Sequence, residues 1–139
     1  QESVEVKIKW PNDIFYGSKK LIGFLPRLIT RGNKTLYARV GIGMNLNNNT
    51  PKEGISLSDI CNKKMLSESF WSSRILKVIY KSILFNQNRK HIIYGANKFL
   101  NTKYLPSGYS DSWSIKEIDQ MGRLKIFKNE SEKIISSSI

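Results

Sequence analysis

Val4-Glu5-Val6-Lys7-Ile8-Lys9-Trp10-Pro11-Asn12-Asp13 is the stretch on which the reading of this chain turns. Its first seven residues alternate apolar and polar without a fault, the period-two pattern of a half-buried strand. Val4, Val6, Ile8 and Trp10 then face one way, and Glu5, Lys7 and Lys9 the other. Pro11 cannot donate to a ladder and keeps Trp10 extended, so the strand ends there. Asn12-Asp13 makes the turn. Lys9 is thereby delivered to the end of a strand, before a rigid Trp-Pro and a polar turn.

The residues that follow extend the pattern into a meander. Ile14-Phe15-Tyr16 resumes strand character, Gly17-Ser18 is a tight hairpin turn, and Lys20 to Ile29 forms the next strand. Gly23 lies inside that strand, and Pro26 requires an edge or a bulge. Arg31-Gly32-Asn33-Lys34 turns the chain again, and Thr35 to Ile42 is the third long strand. Asn45 to Glu53 is a polar loop, with Ile55 to Ile60 a short ordered return. Ser67, a suitable N-cap, opens a helix to Phe85 whose Trp71, Ile75, Val78, Ile79 and Ile83 face the sheet. A second helix runs from about Lys90 to Phe99 with a stripe of Ile92, Ile93, Ala96 and Phe99. Tyr104-Leu105-Pro106-Ser107-Gly108 breaks the helix. Trp113 to Ile118, Arg123 to Phe127 and Glu132 to Ser136 then read as three short strands. An appendage of that size needs docking to be stable.

Composition bounds the classes. The chain has 139 residues, 40% of them hydrophobic, and a formal net charge of +12. That is enough apolar material for a packed core, and no apolar run is long enough to cross a bilayer. The excess of cations attracts polyanions, but it is scattered as short doublets such as Lys19-Lys20 and Lys63-Lys64. Without a recognition-helix pattern, a solvated Lys-rich surface outranks specific nucleic-acid binding. Cys61 is the single cysteine. It excludes a disulfide within the chain, argues for a reducing, cytoplasmic setting, and is expected to be a small buried apolar group. The start at Gln1 rather than Met leads us to expect further chain upstream.

Three places carry candidate chemistry. Lys9 by residue type alone is a solvated surface group, yet a cation fixed at a sheet edge can bind a carboxylate or phosphate. Gly41-Ile42-Gly43-Met44-Asn45 removes two side chains from one face of a strand end, so a flat ligand or a phosphate can approach the backbone. A bulge explains the same glycines. No helix follows directly, which excludes the dinucleotide-binding and P-loop fingerprints. Lys19-Lys20-Leu21-Ile22-Gly23 again suggests close approach at Gly23, or a bulge beside Pro26. His91, the single histidine, is read as a surface residue.

In order and spacing these pieces resemble the biotin–protein ligases. The family's Lys-Trp-Pro-Asn-Asp motif stands complete at Lys9, Trp10, Pro11, Asn12 and Asp13. Its hairpin with Lys-(Ile/Leu)-x-Gly is similar to Lys20-Leu21-Ile22-Gly23, and its Gly-x-Gly-x-Asn-x-Asn strand end to Gly41 through Asn47. The Ser-Leu after its loop resembles Ser56-Leu57. The resemblance implies an α+β fold, a mainly antiparallel sheet packed by helices, partial here and related to class II aminoacyl-tRNA synthetases. Residues 1–103 would be the C-terminal part of the catalytic domain, and 104–139 a small SH3-like C-terminal β domain.

The implied activity is ATP-dependent ligation of biotin through biotinyl-5′-AMP to a lysine of a biotin carboxyl carrier domain. By resemblance, Lys9 is the catalytic cation and also contacts biotin. Gly23, Phe24 and Leu25 line the biotin pocket, and Asn45, Ile55 and Ser56 serve the nucleotide. Trp10, Pro11, Asn12, Asp13, Gly41 and Gly43 are the structural frame. ATP and biotin are substrates, and Mg²⁺ would be held largely by substrate phosphates. Two departures stand out. Gly23-Phe24-Leu25-Pro26-Arg27 carries a proline and a cation where the family usually has a Glu or similar polar residue. The family's Gly-Arg-Gly-Arg-x-Gly-Arg loop is absent and belongs upstream. The chain alone is therefore expected to leave the site incomplete, and its own N-terminal half is an expected partner. A homodimer through sheets is a further expectation. Alternatives are a lipoate-ligase-like relative, or a non-catalytic module binding an acidic protein or nucleic acid.

Overall fold

A computed structural model describes residues 4–85 and 88–137, without the side chain of Phe85. The expectation attached to Gln1 and the Ser138-Ile139 end therefore lies outside the described residues. The first sheet has four strands in the order β1-β2-β3-β4: β1 Lys7–Lys9, β2 Asp13–Tyr16, β3 Lys19–Arg31 and β4 Lys34–Met44. All neighbours are antiparallel. The two tight turns fall where expected, and Gly17 and Gly32 take the left-handed φ of 57° and 58° that those turns require.

β1 is shorter than the alternation predicts. Val4 to Val6 lie outside it, and both faces of the segment are half-buried, so alternation marks the extended backbone but not the length of the ladder. β3 and β4 are longer than expected at both ends. Pro26 sits opposite Val40 in regular register, beyond the part of β3 that pairs with β2. Its missing N–H faces an open side, so the edge explanation holds. The bulges lie instead between Ile14 and Phe15 and between Ile29 and Thr30.

Residues 55–60 resolve into Ile55 and a one-turn helix, α1, Leu57–Ile60. Ser56 caps it: its Oγ accepts from the Asp59 N–H while the Asp59 carboxylate accepts from the Ser56 N–H. Cys61 is the C-cap and half-buried, not a fully buried core residue as expected.

Helix α2 spans Glu68–Phe85 and α3 spans Arg89–Lys98. Trp71, Ile75 and Ile79 on α2 are half-covered, but Val78 and Ile83 are 63% and 65% exposed. On α3, Ile93 and Ala96 pack inward, whereas Ile92 and Phe99 remain exposed. The apolar stripes are thus wider than the part of each helix that is covered. Among the described residues no helix is long and apolar enough to cross a membrane.

β5 Ser114–Ile118, β6 Leu124–Lys128 and β7 Ser131–Ile135 form the second antiparallel sheet. The best-buried cluster lies beneath it: Leu100, Ile115, Ile118, Leu124 and Ile126, with Trp10, Ile93 and Ala96 packed against them. The small sheet is therefore docked on α3 and on the exit of β1. The chain is mixed α and β with antiparallel sheets.

Candidate functional site

The register of the first sheet lines up four residues in one cross-strand row. Lys9 faces Asp13, Asp13 faces Gly23, and Gly23 faces Gly43. Directly opposed residues share a face, so the cation of β1 and both glycines look the same way. The next row on that face is Leu25 opposite Gly41, and the one after is Arg27 opposite Arg39. Ile8, Ile14, Ile22, Phe24, Ile42 and Met44 face the other way. There, Val40, Ile42 and Met44 border a groove of about 520 Å³ with Trp71 and Ile75 of α2.

The glycine face forms an open cleft of about 760 Å³. Its lining brings together Gly23, Phe24, Leu25, Gly41, Gly43 and Asn45. The pleat turns the Phe24 side chain to the opposite face, so it borders the cleft through its backbone. A Cβ on Gly43 would meet nothing within 4 Å, and one on Gly41 would meet Leu25 only at ordinary contact distance. These two positions are therefore free of side chains without any steric need of the fold. Gly23 differs: a Cβ there would lie 2.9 Å from Lys20 Cε.

Local bonds hold the frame. Asn12 is tied to Phe24 twice, its Nδ2 donating to the Phe24 carbonyl at 2.6 Å and its own carbonyl accepting from the Phe24 N–H at 2.8 Å. Asp13 pairs with Lys20 at 2.7 Å, a partner the motif alone does not announce. Lys9 enters neither this ion pair nor that of Lys7 with Glu5. Its Nζ lies instead over the rings of Phe15 and Tyr104. Asn45 uses its Nδ2 on the Lys20 carbonyl at 3.2 Å, and its Oδ1 accepts from Asn48. Trp10 and Pro11 carry the chain away from the face, and the Trp10 Nε1–H donates to the Gly122 carbonyl at 3.0 Å.

Lys9 and two expected nucleotide residues, Ile55 and Ser56, lie outside the cleft lining. The Ile55 N–H donates to the Lys20 carbonyl at 3.0 Å, and Ser56 is 1% exposed in its capping role. Reasoning from sequence quoted Lys20 within the hairpin motif without giving it a role, and it missed Asn48 and Tyr104. Tyr104 gives no local signal. Among the described residues no group of three or more His, Cys, Asp or Glu could hold a metal ion, and Asp13 beside the cleft is already paired with Lys20. The shifted titrations belong to the small sheet. At Asp119, burial would raise the carboxyl, but hydrogen bonds from Arg123 and the Met121 N–H outweigh it and hold it below the usual value.

Comparison with known proteins shows what the chain is similar to. Residues 1–45, which contain the whole row, match the Biotin/lipoate A/B protein ligase family. The chain is similar to biotin–protein ligases. It is 39% identical over 59 residues to biotin–protein ligase 2 of Arabidopsis thaliana, covering 41% of this chain and 18% of that protein. It is 25% identical over 153 aligned positions to the human biotin–protein ligase, covering 96% of this chain and 20% of that protein. The fold is that of the Aquifex aeolicus biotin protein ligase. The TM-score is 0.75 for its apo form and 0.74 for its complex with biotin and ATP, with 23% identity. The match takes in 95% of this chain and 62% of the apo chain. This chain thus spans about a fifth of the curated relatives' length and three-fifths of that structure.

Proposed function

We propose that this chain is the C-terminal portion of an ATP-dependent biotin–protein ligase. Residues 1–103 belong to its catalytic domain and 104–139 to an appended β domain. One observation carries the reading: the Lys9–Asp13–Gly23–Gly43 row, in which a cation with no carboxylate partner among the described residues shares a sheet face with two glycines. A flat, fused-ring substrate with a carboxylate tail fits such a place, and so does the relative's complex with biotin and ATP.

In this reading the biotin carboxylate oxygen attacks the α-phosphorus of ATP, the bond to pyrophosphate breaks, and biotinyl-5′-AMP forms. An acceptor lysine of a biotin carboxyl carrier domain then attacks the acyl carbon, releasing AMP. Both steps gather negative charge, and a fixed ammonium stabilises it where it develops. Lys9 supplies that charge. Gly23, Gly41 and Gly43 admit the substrate to the backbone, and Asn12 and the Asp13–Lys20 pair hold the floor in register. Asn45 shapes the nucleotide end through its bonds to Lys20 and Asn48, with Ile55 and Ser56 bracing the strand behind it. The chain offers no carboxylate cage for Mg²⁺ among the described residues, which accords with an ion brought in on the substrate phosphates. The cytoplasm is the setting in which we place this reaction. The outer edge of β4 is where a second copy would add, since β4 ends the sheet.

The test is a chimera in which this chain replaces the matching part of the Aquifex aeolicus ligase. The expected result is transfer of biotin to a carrier domain that requires ATP and resists competition by lipoate. Preferential transfer of lipoate would assign the chain to the other branch of the family. Tight sequence-specific DNA binding by the chain without transfer would replace the ligase reading altogether.

A further inference from the structure

Three consecutive residues at the end of β1 are each held by the C-terminal third of the chain. The Ile8 N–H donates to the Phe99 carbonyl and the Asn101 N–H to the Ile8 carbonyl, both at 2.7 Å. Ile8 and Leu100 thereby form a parallel bridge along the outer edge of β1. Trp10 bonds to Gly122, which is 112 residues away. Between them, the Lys9 Nζ lies 5.0 Å from the centroid of the Phe15 ring and 5.6 Å from that of Tyr104. The two rings are themselves 5.5 Å apart and tilted by 52°.

The neighbouring lysines make the contrast. Lys7 is paired with Glu5 at 3.0 Å and Lys20 with Asp13 at 2.7 Å. A carboxylate on Lys9 would compete with any incoming oxyanion. An aromatic face does not: it attracts the ammonium through its quadrupole while leaving the charge available. Without the rings, a four-carbon stem samples many rotamers. Asn101 is buried and its Oδ1 accepts from the Lys103 N–H, so the segment that presents Tyr104 is itself braced.

We propose that Tyr104 is a positioning residue. Together with Phe15 it holds the ammonium of Lys9 at the end of β1, clear of every carboxylate among the described residues. The placement rests on geometry, and its consequence for transfer rests on the ligase reading above. The ring does the work and the hydroxyl does not, so phenylalanine must substitute for it and leucine must not.

The experiment labels the lysines of this chain with ¹³C at Cε and finds the Lys9 signal by its loss in Lys9→Arg. In the unsubstituted chain that signal sits upfield of the other lysines through the ring currents of Phe15 and Tyr104. It stays there in Tyr104→Phe and moves toward the other lysines in Tyr104→Leu, with the remaining amide spectrum preserved. In the chimeric transfer assay, Tyr104→Leu lowers kcat roughly three- to tenfold, the effect one cation–π contact can supply, and Tyr104→Phe restores it. An unshifted Lys9 signal in the unsubstituted chain, or a shift that survives Tyr104→Leu, overturns the placement. A lost shift with an unchanged kcat overturns the positioning role. A chain that transfers no biotin counts against the ligase reading, while the ring-current result still decides the placement.

Discussion

Gly43 and Gly23 oppose each other across β3 and β4, yet a side chain would meet different things at each. Gly43 has open space above it, so Gly43→Val is expected to fold with a stability change within about 0.5 kcal/mol, as for substitutions that clash with nothing. The same isopropyl group would stand on the cleft floor and lower chimeric biotin transfer at least tenfold. Denaturant unfolding together with the transfer rate checks this, and a stable variant with full transfer would show that the floor is not used. At Gly23 an added methyl meets the mobile end of Lys20, which must leave Asp13. The residue types of this site were legible: alternation picked out Lys9, and spacing picked out Gly41 and Gly43. Their alignment was not. The register between β2 and β3 passes through the bulge at Ile14 and Phe15, and nothing local in the sequence announces it. Tyr104 was invisible for the same reason, since the bridge of Leu100 to Ile8 and the bonds of Asn101 bring its segment beside Lys9.

At the scale of elements, turn chemistry carried most of what could be read. Gly17, Gly32 and Gly122 mark chain reversals where expected, because left-handed or tight backbone leaves few residue choices. Helical stripes misled at Val78, Ile83, Ile92 and Phe99, because periodicity gives a helix its apolar face without saying how much of that face a neighbour covers. α1 was too short to show a period, although its Ser56-x-x-Asp59 cap was in plain sight. Ser56→Ala removes that buried cap and is expected to cost about 1 kcal/mol, read as a lower urea midpoint with an unchanged slope. The Asp119 turn makes a pH prediction. Its carboxyl titrates below the usual value in the folded chain through the Arg123 and Met121 bonds that offset its burial. Its stabilising effect is therefore complete above the ordinary carboxylate range and is lost as pH falls through the depressed value, below about pH 4. Melting temperature should fall over that acid range, and Asp119→Asn should melt lower at neutral pH while showing a smaller acid drop. Equal acid drops in both proteins would remove Asp119 from this account.

Across the whole molecule, the tightest packing is not under the larger sheet but where the small sheet meets α3 and Trp10. The outer halves of β3 and β4 expose Leu25, Leu28, Leu36, Tyr37 and Val40, so the cleft face stands on a hairpin with little cover. Rigidity at Lys9 thus comes from the C-terminal side, through Ile8, Tyr104 and Trp10. The charge of +12 is spread over this frame and not gathered into one stripe. Polyanion binding by the chain should accordingly fall steeply with salt and show no sequence preference. The proposed ligation rests on one ammonium, that of Lys9, on the same sheet face as Gly23 and Gly43. The most direct measurement is biotin transfer to a carrier domain by the chimera with and without Lys9→Ala. The account predicts that the substitution at this half-buried position leaves folding intact and lowers the transfer rate by about a hundredfold or more, the usual cost of removing a fixed oxyanion partner. A Lys9→Ala chimera that transfers biotin as fast as its parent would contradict it.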